Sequence, residues 1–338
     1  MPTNRQVLLA SRPEGQAKPD NFKLVSSETP ALQDGQVLVR HHYLSVDPYM
    51  RGRMNDSRSY AAPQPVGEVF QGGTVGEVIE SRNDAYRAGD KVVGMGGWQE
   101  YSVVDPKQPG VLRKVDDSQV PLSYYLGAVG MPGVTAWYGL TQIIQPKAGE
   151  TVTATAATGA VGSTFAALAK ARDCRVVGVA GGPEKCSYAT EELGYDACVD
   201  YKAHGDVASM NAALKQACPD RIDGHFENVG GYILDAIMLR LNAHSRIVLC
   251  GMIAGYDGQP LPMAYPALLL TNRVKLQGFI VSEHMDLWPK ALAELTGLVV
   301  SGKLRPRESI SEGIASAPEA LLGLLKSRNF GKQLVKLI

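Results

Sequence analysis

The sequence predicts an α/β protein of two domains, a small N-terminal β-barrel and a doubly wound parallel sheet inserted into it. The length of 338 residues favours two domains, because one domain takes roughly 150 residues. Short β-type segments broken by glycine and proline fill the first third of the chain, and strands alternate with helices in the middle. We expect a barrel domain at residues 1–127, a sheet domain at 128–305 and a C-terminal return at 306–338.

The composition is that of an ordinary globular protein and argues against several classes of function. Hydrophobic residues make up 45% of the chain, and 34 Lys and Arg balance 34 Asp and Glu. Because no block of like charge is present, we expect no nucleic acid and no membrane as a partner. The apolar run at residues 7–10 is too short for a signal peptide, and no run approaches a membrane span, so a cytoplasmic location is expected. The five cysteines lack C-x-x-C spacing, which predicts reduced thiols and no metal site.

The first 127 residues have the pattern of a strongly bent barrel. Apolar runs of four to seven residues alternate with turn residues, as expected for short antiparallel strands. The predicted strands cover residues 36–40, 73–79, 91–95 and 101–104.

The middle of the chain predicts a parallel sheet with helices on both faces. The β-type runs lie at residues 151–156, 175–180, 197–199, 222–227, 246–250 and 275–280. The helical patterns lie at 160–172, 184–193, 207–217, 233–241 and 266–271, and a linking helix follows at 285–301. Right-handed crossovers between successive strands enforce a parallel order, and six strands match a complete doubly wound dinucleotide sheet.

The C-terminal segment predicts a helix at 317–327 and a last strand at 333–338. We expect that strand to have no partner within the segment and therefore to return to the N-terminal barrel. The first domain would then be discontinuous, with the sheet domain inserted into it.

A glycine-containing turn follows the first strand of the predicted sheet. Residues 157–162 read A-T-G-A-V-G and lead directly into a helix. Such a turn lets the backbone approach a pyrophosphate, which the N–H groups and positive dipole of the helix N-terminus then bind. Ala157 replaces the first glycine of the G-x-G-x-x-G fingerprint, so an ordinary βα turn is the alternative interpretation. The context of six strands favours a Rossmann-type dinucleotide site.

The end of the second strand predicts which dinucleotide binds. An NAD site has Asp or Glu there to bind the ribose hydroxyls. Residues 179–185 read V-A-G-G-P-E-K, without a carboxylate at the strand end itself and with Lys185 on the next helix. A lysine in place of a carboxylate favours a 2′-phosphate and therefore NADP(H), unless Lys185 is simply a solvated helix residue.

A zinc-dependent alcohol dehydrogenase would place a cysteine ligand in its N-terminal domain, whereas the first cysteine here is Cys174. We therefore expect proton chemistry from tyrosines, arginines or Asp47.

Five sequence strings stand in the order found in one protein family. They are L-S-V-D-P-Y-M-R at 44–51, V-G-M-P-G-V-T-A at 129–136, A-A-T-G-A-V-G at 156–162, E-N-V-G-G at 227–231 and N-F-G-K at 329–332. Through them the sequence resembles the zinc-independent leukotriene B4 dehydrogenase, prostaglandin reductase and alkenal reductase branch of the medium-chain dehydrogenase/reductases, most of all the bacterial NADPH-dependent curcumin reductases. The resemblance spans nearly the whole chain and implies a GroES-like barrel, a Rossmann domain and a homodimer paired through the sheet domains, for example by an edge strand such as 275–280.

The resemblance also implies site residues. Those for the pyrophosphate are Gly159, Ala160, Val161 and Gly162, and those for the 2′-phosphate are Lys185 and Tyr201. Asn228 would lie where the cofactor crosses the sheet. The residues around the nicotinamide half would be Cys250, Gly251, Met252, Ile253, Ala254, Gly255, Tyr256, Phe279, Ile280, Val281 and Asn329. Tyr49 and Tyr256 would stand beside the substrate carbonyl.

Three of these residues have structural alternatives. Tyr49 could be a buried barrel residue, and Tyr256 could be an exposed aromatic at a loop tip. Cys250 is better explained as a small buried side chain than as a nucleophile, because no His or Lys is adjacent to it in sequence.

The function that the resemblance implies is NADPH-dependent reduction of the C=C bond of α,β-unsaturated ketones and aldehydes. Hydride would reach the β-carbon, and a tyrosine hydroxyl together with the nicotinamide ribose hydroxyl would stabilise the enolate. Tyr256, Tyr49 or solvent would then protonate the α-carbon. The alternatives are an NADPH quinone reductase and a non-catalytic NADPH-binding protein of the same fold.

Overall fold

The computed structural model describes residues 2–107 and 111–338. The chain forms two compact units, of which the first combines Met1–Gly127 with Glu308–Ile338 and the second is Ala128–Arg307. We call them the barrel unit and the sheet unit. Among the described residues, no helix has the length and apolar character needed to cross a bilayer.

The barrel unit opens with seven strands. They are β1 (Thr3–Leu9), β2 (Phe22–Glu28), β3 (Val37–Ser45), β4 (Thr74–Ser81), β5 (Lys91–Gly94), β6 (Tyr101–Val104) and β7 (Leu112–Lys114), with the short helix α1 (Tyr49–Arg53) after β3. The four predicted strands are present. Strands β1, β2 and β7 were not predicted: β2 is exposed along most of its length, and β1 begins with polar residues, so that only its last three residues belong to the short apolar run 7–10.

The sheet unit alternates strands and helices along the chain. Its elements are α2 (Met131–Tyr138), β8 (Thr151–Thr155), α3 (Ala160–Lys170), β9 (Arg175–Ala180), α4 (Pro183–Glu191), β10 (Ala197–Asp200), α5 (Val207–Ala217), β11 (Ile222–Glu227), α6 (Gly231–Met238), β12 (Leu241–Leu249), α7 (Ala267–Thr271), β13 (Lys275–Gly278) and α8 (Trp288–Val300). A π-helical segment, Gly139–Ile144, continues α2.

The strands of the sheet unit form one sheet in the order β10-β9-β8-β11-β12-β13, and every neighbouring pair is parallel. When these six strands are numbered 1 to 6 along the chain, their order in the sheet is 3-2-1-4-5-6, which is the doubly wound order of dinucleotide-binding sheets. The predicted α/β fold class is therefore confirmed.

Among the predicted boundaries in the sheet unit, those of the fifth and sixth strands were wrong. The fifth strand begins at Leu241, within the predicted helix 233–241, because α6 ends at Met238. The sixth strand ends at Gly278, so Phe279 and Ile280 follow the strand and Val281 opens a 3₁₀ turn. Apolar residues after a strand end look the same in sequence as the strand itself.

The C-terminal segment contains β14 (Glu308–Glu312), α9 (Ala317–Leu325) and β15 (Lys332–Lys336). Strand β15 pairs antiparallel with β3, as the expected return to the barrel requires. The expectation that this strand lacks a partner within its own segment was wrong, because β14 pairs with β15 in parallel. Further 3₁₀ turns lie at Pro19–Asn21, Leu122–Leu126, Tyr201–Ala203, Ile253–Gly255, Met285–Leu287 and Ile314–Ser316.

Candidate active site

The turn between β8 and α3 has the geometry of an anion-binding turn. The N–H of Gly159 donates to the carbonyl of Ala156 at 2.9 Å, and α3 starts at Ala160 without a side-chain cap. The first N–H groups of a helix have no partner within the helix, so those of Ala160, Val161 and Gly162 are offered to a ligand. Gly162 is required here, because a β-carbon on it would lie 2.5 Å from the carbonyl oxygen of Ala156. The predicted pyrophosphate residues Gly159, Ala160, Val161 and Gly162 therefore lie together where α3 packs closely on the turn.

The alanine at the first fingerprint position is accommodated by a glycine on the neighbouring strand. The side chain of Ala157 is fully buried and points at Gly178 of β9, where an added β-carbon would be 2.8 Å from the Ala157 methyl carbon. The Tyr195 hydroxyl donates to the carbonyl of Gly162 at 2.8 Å and fastens the turn from the same side. The turn can therefore keep the backbone conformation of the fingerprint although an alanine replaces the first glycine.

A tyrosine and a lysine cover the end of the second strand. A β-carbon on Gly181 would lie 2.8 Å from Cε1 of Tyr201 and 3.0 Å from Cε of Lys202. Lys185 is half-buried in the first turn of α4, and burial together with the Lys202 ammonium lowers its pKa. Two ammonium groups that repel each other at a strand end are suited to a dianionic ligand. Sequence analysis missed Lys202, although it directly follows Tyr201.

A carboxylate on the neighbouring strand β10, that of Asp200, lies beside this strand end and has a structural role. Asp200 ends β10, and its Oδ1 accepts the N–H of Gly182 at 2.7 Å and that of Lys202 at 3.0 Å. Asp200 therefore ties the two segments that present Lys185 and Lys202, while β9 itself ends without a carboxylate.

A buried polar network that sequence analysis did not identify lies at the carboxyl ends of β8 and β11. Glu227 has no exposed surface and accepts the hydroxyl of Thr155 at 2.6 Å and the N–H of Val229 at 2.6 Å. His225 bridges Glu227 at 3.0 Å and Thr153 at 2.7 Å. Burial opposes ionisation of Glu227, yet these hydrogen bonds hold its pKa below the usual range. A carboxylate satisfied in this way fixes the loop after β11.

Asn228 lies at the start of that loop, at the point where the strand order reverses. Its backbone N–H donates to Oγ1 of Thr155 and its side-chain amide to the carbonyl of Thr155, both at 2.8 Å. Ligands of doubly wound sheets bind outside the strand ends at this switch point. The structure thus holds Asn228 at the position expected for a cofactor that crosses the sheet.

The loop after β12 folds back over the Asn228 loop. The N–H of Ile253 donates to the carbonyl of Asn228 and that of Ala254 to the carbonyl of Val229, each at 3.1 Å. Tyr256 is half-buried, and a β-carbon on Gly251 would lie 3.1 Å from its hydroxyl oxygen. The alternative that Tyr256 is an exposed loop-tip residue is therefore wrong.

Other residues of this loop have packing roles. Met252 and Gly255 pack with Leu261 around Gly230, whose φ of +82° suits glycine. The N–H of Cys250 donates to the carbonyl of Glu227 at 3.0 Å, and burial raises the pKa of its thiol to about 12. Cys250 is therefore protonated at neutral pH and is not a nucleophile, in agreement with the structural interpretation.

The segment after β13 is ordered by aromatic contacts within the sheet unit. Phe279 stacks on Tyr138 with ring centroids 5.1 Å apart, and His284 stacks on Tyr138 at 4.2 Å. The indole N–H of Trp288 donates to the carbonyl of Val281 at 3.2 Å. Phe279, Ile280 and Val281 are all half-buried.

The barrel unit carries Tyr49 at the start of α1. Burial and the nearby Asp47 raise the pKa of Tyr49, and the guanidinium of Arg53 lies 5.8 Å from its ring centroid. Arg53 also lies 4.9 Å from the ring of Tyr60, a residue that sequence analysis did not single out. Asp47 is a structural residue, since it is buried and accepts Nζ of Lys332 at 2.9 Å and the hydroxyl of Ser45.

Asn329 lies in the turn before β15. Its side-chain amide donates to the carbonyl of Gly331 at 2.7 Å, which shapes the turn. A contact between Asn329 and the cofactor remains a prediction. Over residues 2–107 and 111–338, no three His, Cys, Asp or Glu side chains cluster as metal ligands would.

The sheet order, the uncapped glycine turn and the switch-point loop define a dinucleotide-binding protein of the Rossmann class. Two family profiles match the chain, one described as the N-terminal domain of oxidoreductase over residues 5–112 and one described as zinc-binding dehydrogenase over residues 160–297. The latter profile begins at the helix of the glycine turn.

Relatives align with nearly the whole chain. The NADPH-dependent curcumin reductase of Escherichia coli is 44% identical, with 98% of this chain and 96% of the relative covered. The NADP(+)-dependent 2-alkenal reductase of Nicotiana tabacum is 40% identical, with 98% and 97% covered. The crystal structure of CurA from Vibrio vulnificus in complex with NADPH superposes with a TM-score of 0.92 at 42% identity and covers 99% of both chains. The chain belongs to the branch of the medium-chain dehydrogenase/reductases that contains the prostaglandin, alkenal and curcumin reductases.

Proposed function

We propose that this protein is an NADPH-dependent reductase of the C=C bond in α,β-unsaturated ketones and aldehydes. The observation that carries the proposal is the end of β9, where Tyr201 and Lys202 cover Gly181 and Lys185 stands nearby without a competing carboxylate on that strand. The relatives named as curcumin and alkenal reductases point to the same cofactor and the same substrate class.

The residues present fit NADP(H). The glycine turn and the first N–H groups of α3 would hold the pyrophosphate, and Lys185, Tyr201 and Lys202 would hold the 2′-phosphate. Asn228 and the loop Gly251–Tyr256 would bind the nicotinamide half. Bound NADPH supplies the hydride for the β-carbon of the substrate.

On the substrate side, the protein must stabilise negative charge that develops on the carbonyl oxygen. Neutral hydroxyl donors do this without a metal, and we assign the role to Tyr256 and Tyr49. The raised pKa of Tyr49 keeps its hydroxyl protonated, so that it can donate a hydrogen bond to the carbonyl oxygen. We propose a zinc-independent reaction because the described residues offer no cluster of three ligands. We assign cofactor binding to the sheet unit; of the two tyrosines, Tyr49 belongs to the barrel unit and Tyr256 to the sheet unit.

The test is NADPH oxidation with a panel of alkenals, enones, dienones and quinones, combined with product analysis. We expect the saturated ketone or aldehyde as the product. A hydroquinone formed preferentially would indicate a quinone reductase. NADPH binding without oxidation across the panel would indicate a non-catalytic binding protein.

We further propose a cytoplasmic homodimer. Strand β13 is an edge of the sheet and leaves its outer backbone groups unpaired within the unit, and Leu270 on the preceding helix is 80% exposed. The five cysteines are all free, as expected in a reducing compartment. Light scattering that gives the mass of one chain would contradict the dimer.

A further inference from the structure

A buried ion pair joins two of the sequence strings through which the chain resembles its family. Lys332 ends the N-F-G-K string, and Asp47 lies in the middle of the L-S-V-D-P-Y-M-R string. Both residues belong to the barrel unit, both are buried, and Nζ of Lys332 lies 2.9 Å from Oδ1 of Asp47. Because an unpaired charge in a protein interior is strongly destabilising, each of the two side chains depends on the other.

The ammonium group of Lys332 also binds the main chain on both sides of this contact. It donates to the carbonyl of Val46 at 2.9 Å and to the carbonyl of Gln333 at 3.1 Å. An ammonium group has three donors, so the contact with Asp47 and these two carbonyls use all of them. The N–H of Val46 in turn donates to the carbonyl of Gln333 at 3.2 Å. The chain just after β3 is therefore fixed to the start of β15 at this point.

Asp47 holds the first turn of α1, the helix that carries Tyr49. Its carbonyl accepts the N–H of Met50 at 3.1 Å, and its own N–H donates to Sδ of Met50 at 3.5 Å. Its carboxylate accepts the hydroxyl of Ser45 in addition to the Lys332 ammonium. Tyr49 lies between Asp47 and Met50 in the chain, and the Met50 side chain is buried in the core of the barrel unit. The orientation of Tyr49 therefore depends on how Asp47 is held.

We propose that Lys332 is a positioning residue for Tyr49. Through Asp47 it holds the first turn of α1 in the orientation that presents the Tyr49 hydroxyl to the carbonyl oxygen of the substrate. The inference rests on the proposed function for the role of Tyr49. Catalysis is sensitive to such support, because a displacement of a reacting group by about 1 Å can lower turnover about a hundredfold. A residue that contacts neither substrate nor cofactor can thus control the reaction by fixing the residue that does.

The test is a double-mutant cycle of K332M and Y49F, with kcat on an enone measured at saturating NADPH. We expect K332M to lower kcat at least about tenfold, the effect of losing one hydrogen bond to a developing charge. In the Y49F background the same substitution should change kcat by less than about twofold, because the hydroxyl that Lys332 positions is already absent. Equal losses in both backgrounds would overturn the proposal, since Lys332 would then act elsewhere, for example on the turn that carries Asn329. An undiminished kcat in Y49F would also overturn it.

Two further variants separate positioning from a general loss of stability. K332M leaves the Asp47 carboxylate buried without its partner and should lower stability, whereas D47N/K332M removes both charges and should recover most of it. We expect kcat of D47N/K332M to stay low, because the connection to β15 is still absent, and this variant replaces K332M in the cycle if K332M does not fold. A kcat that recovers together with stability would overturn the proposal. K91M is the matched control, since Lys91 pairs with Glu77 at 2.6 Å elsewhere in the barrel unit, and it should leave kcat unchanged.

The environment of Tyr49 can also be followed without turnover. In protein labelled with fluorotyrosine, the fluorine NMR resonance that disappears in Y49F belongs to Tyr49. We expect D47N/K332M to shift this resonance and K91M to leave it in place, and an unshifted resonance in D47N/K332M would overturn the proposal. If the parent protein reduces no enone, the proposed function fails, while the resonance still decides whether Lys332 holds Tyr49 in place.

Discussion

Glu227 accepts a hydrogen bond from Nε2 of His225 at 3.0 Å, and neither side chain has any exposed surface. The other ring nitrogen of His225 meets the Thr153 hydroxyl at 2.7 Å, so both neighbouring strands take part in holding one carboxylate. The same carboxylate accepts the N–H groups of Val229 and Gly230. The buried Glu227 carboxylate therefore fixes the backbone conformation of the loop that begins with Asn228.

Replacing Glu227 with Gln should destabilise the protein and weaken NADPH binding. The amide cannot accept all four donors, and one buried group is left without a partner, which costs about 3 kcal/mol. Urea unfolding of the cofactor-free protein measures the stability, and NADPH titration measures the effect on the loop. E312Q is the control, because Glu312 is exposed in the barrel unit. Unchanged stability of E227Q would show that the network is not important for the fold.

The same carboxylate predicts a pH dependence of stability. The folded pKa of Glu227 lies below the ordinary value of 4.5, so its contribution to the free energy of unfolding is fully present above that pH. The contribution is lost as the pH falls from about 4.5 through the lowered folded pKa. Unfolding curves of the parent and E227Q should therefore converge in acid. Curves that stay parallel down to acid unfolding would contradict an ionised Glu227 in the folded state.

Ala157 and Gly178 form a complementary pair that explains the altered fingerprint. G178A should destabilise the protein by about 1–3 kcal/mol, the usual cost of overpacking, since the new methyl would lie 2.8 Å from that of Ala157. A157G in the G178A background should recover part of this loss by making room again. Thermal unfolding of the four members of this cycle measures the coupling. Additive effects of the two substitutions would refute the pairing.

The parallel sheet was predictable because its strands are buried on both faces and appear as apolar runs, such as Val176–Val179 within β9. Strand β2 was not predictable in this way, because only Phe22 in it is buried and its exposed residues follow no regular alternation. Length and turn residues do not distinguish such a strand from a polar loop.

The site residues were predictable where the backbone conformation requires a particular type of residue. They were not predictable where the pairing of strands, or a turn after a strand, brings distant residues together. Gly159 and Gly162 can be recognised in the sequence because the turn leaves little room for side chains there. Lys202 was missed because its place over Gly181 depends on the 3₁₀ turn after β10. The role of His225 depends on the pairing of β11 with β8, which sets it opposite Thr153. Sequence spacing carries no record of that register.

The two lysines at the end of β9 should determine the preference for NADPH. K185A and K202A should each raise the Kd for NADPH about tenfold or more, because each removes about one hydrogen bond to a charged group. The Kd for NADH should stay nearly unchanged. Fluorescence titration with both cofactors measures the ratio. K215A, which removes an exposed lysine on α5, should change neither affinity. Equal losses for both cofactors would show that the lysines do not bind the 2′-phosphate.

Tyr256 should act on turnover and not on cofactor affinity. Its hydroxyl lies beside Gly251, in the loop that folds over Asn228 and that we propose binds the nicotinamide half. Y256F should lower kcat on an enone about 10²-fold while the Kd for NADPH stays constant, because the ring and its packing remain. Stopped-flow measurement of NADPH oxidation isolates the chemical step from product release. The same measurement on Y49F ranks the two tyrosines, since the residue whose hydroxyl binds the carbonyl should show the larger loss. An undiminished kcat in Y256F would remove Tyr256 from the mechanism and leave Tyr49 as the donor.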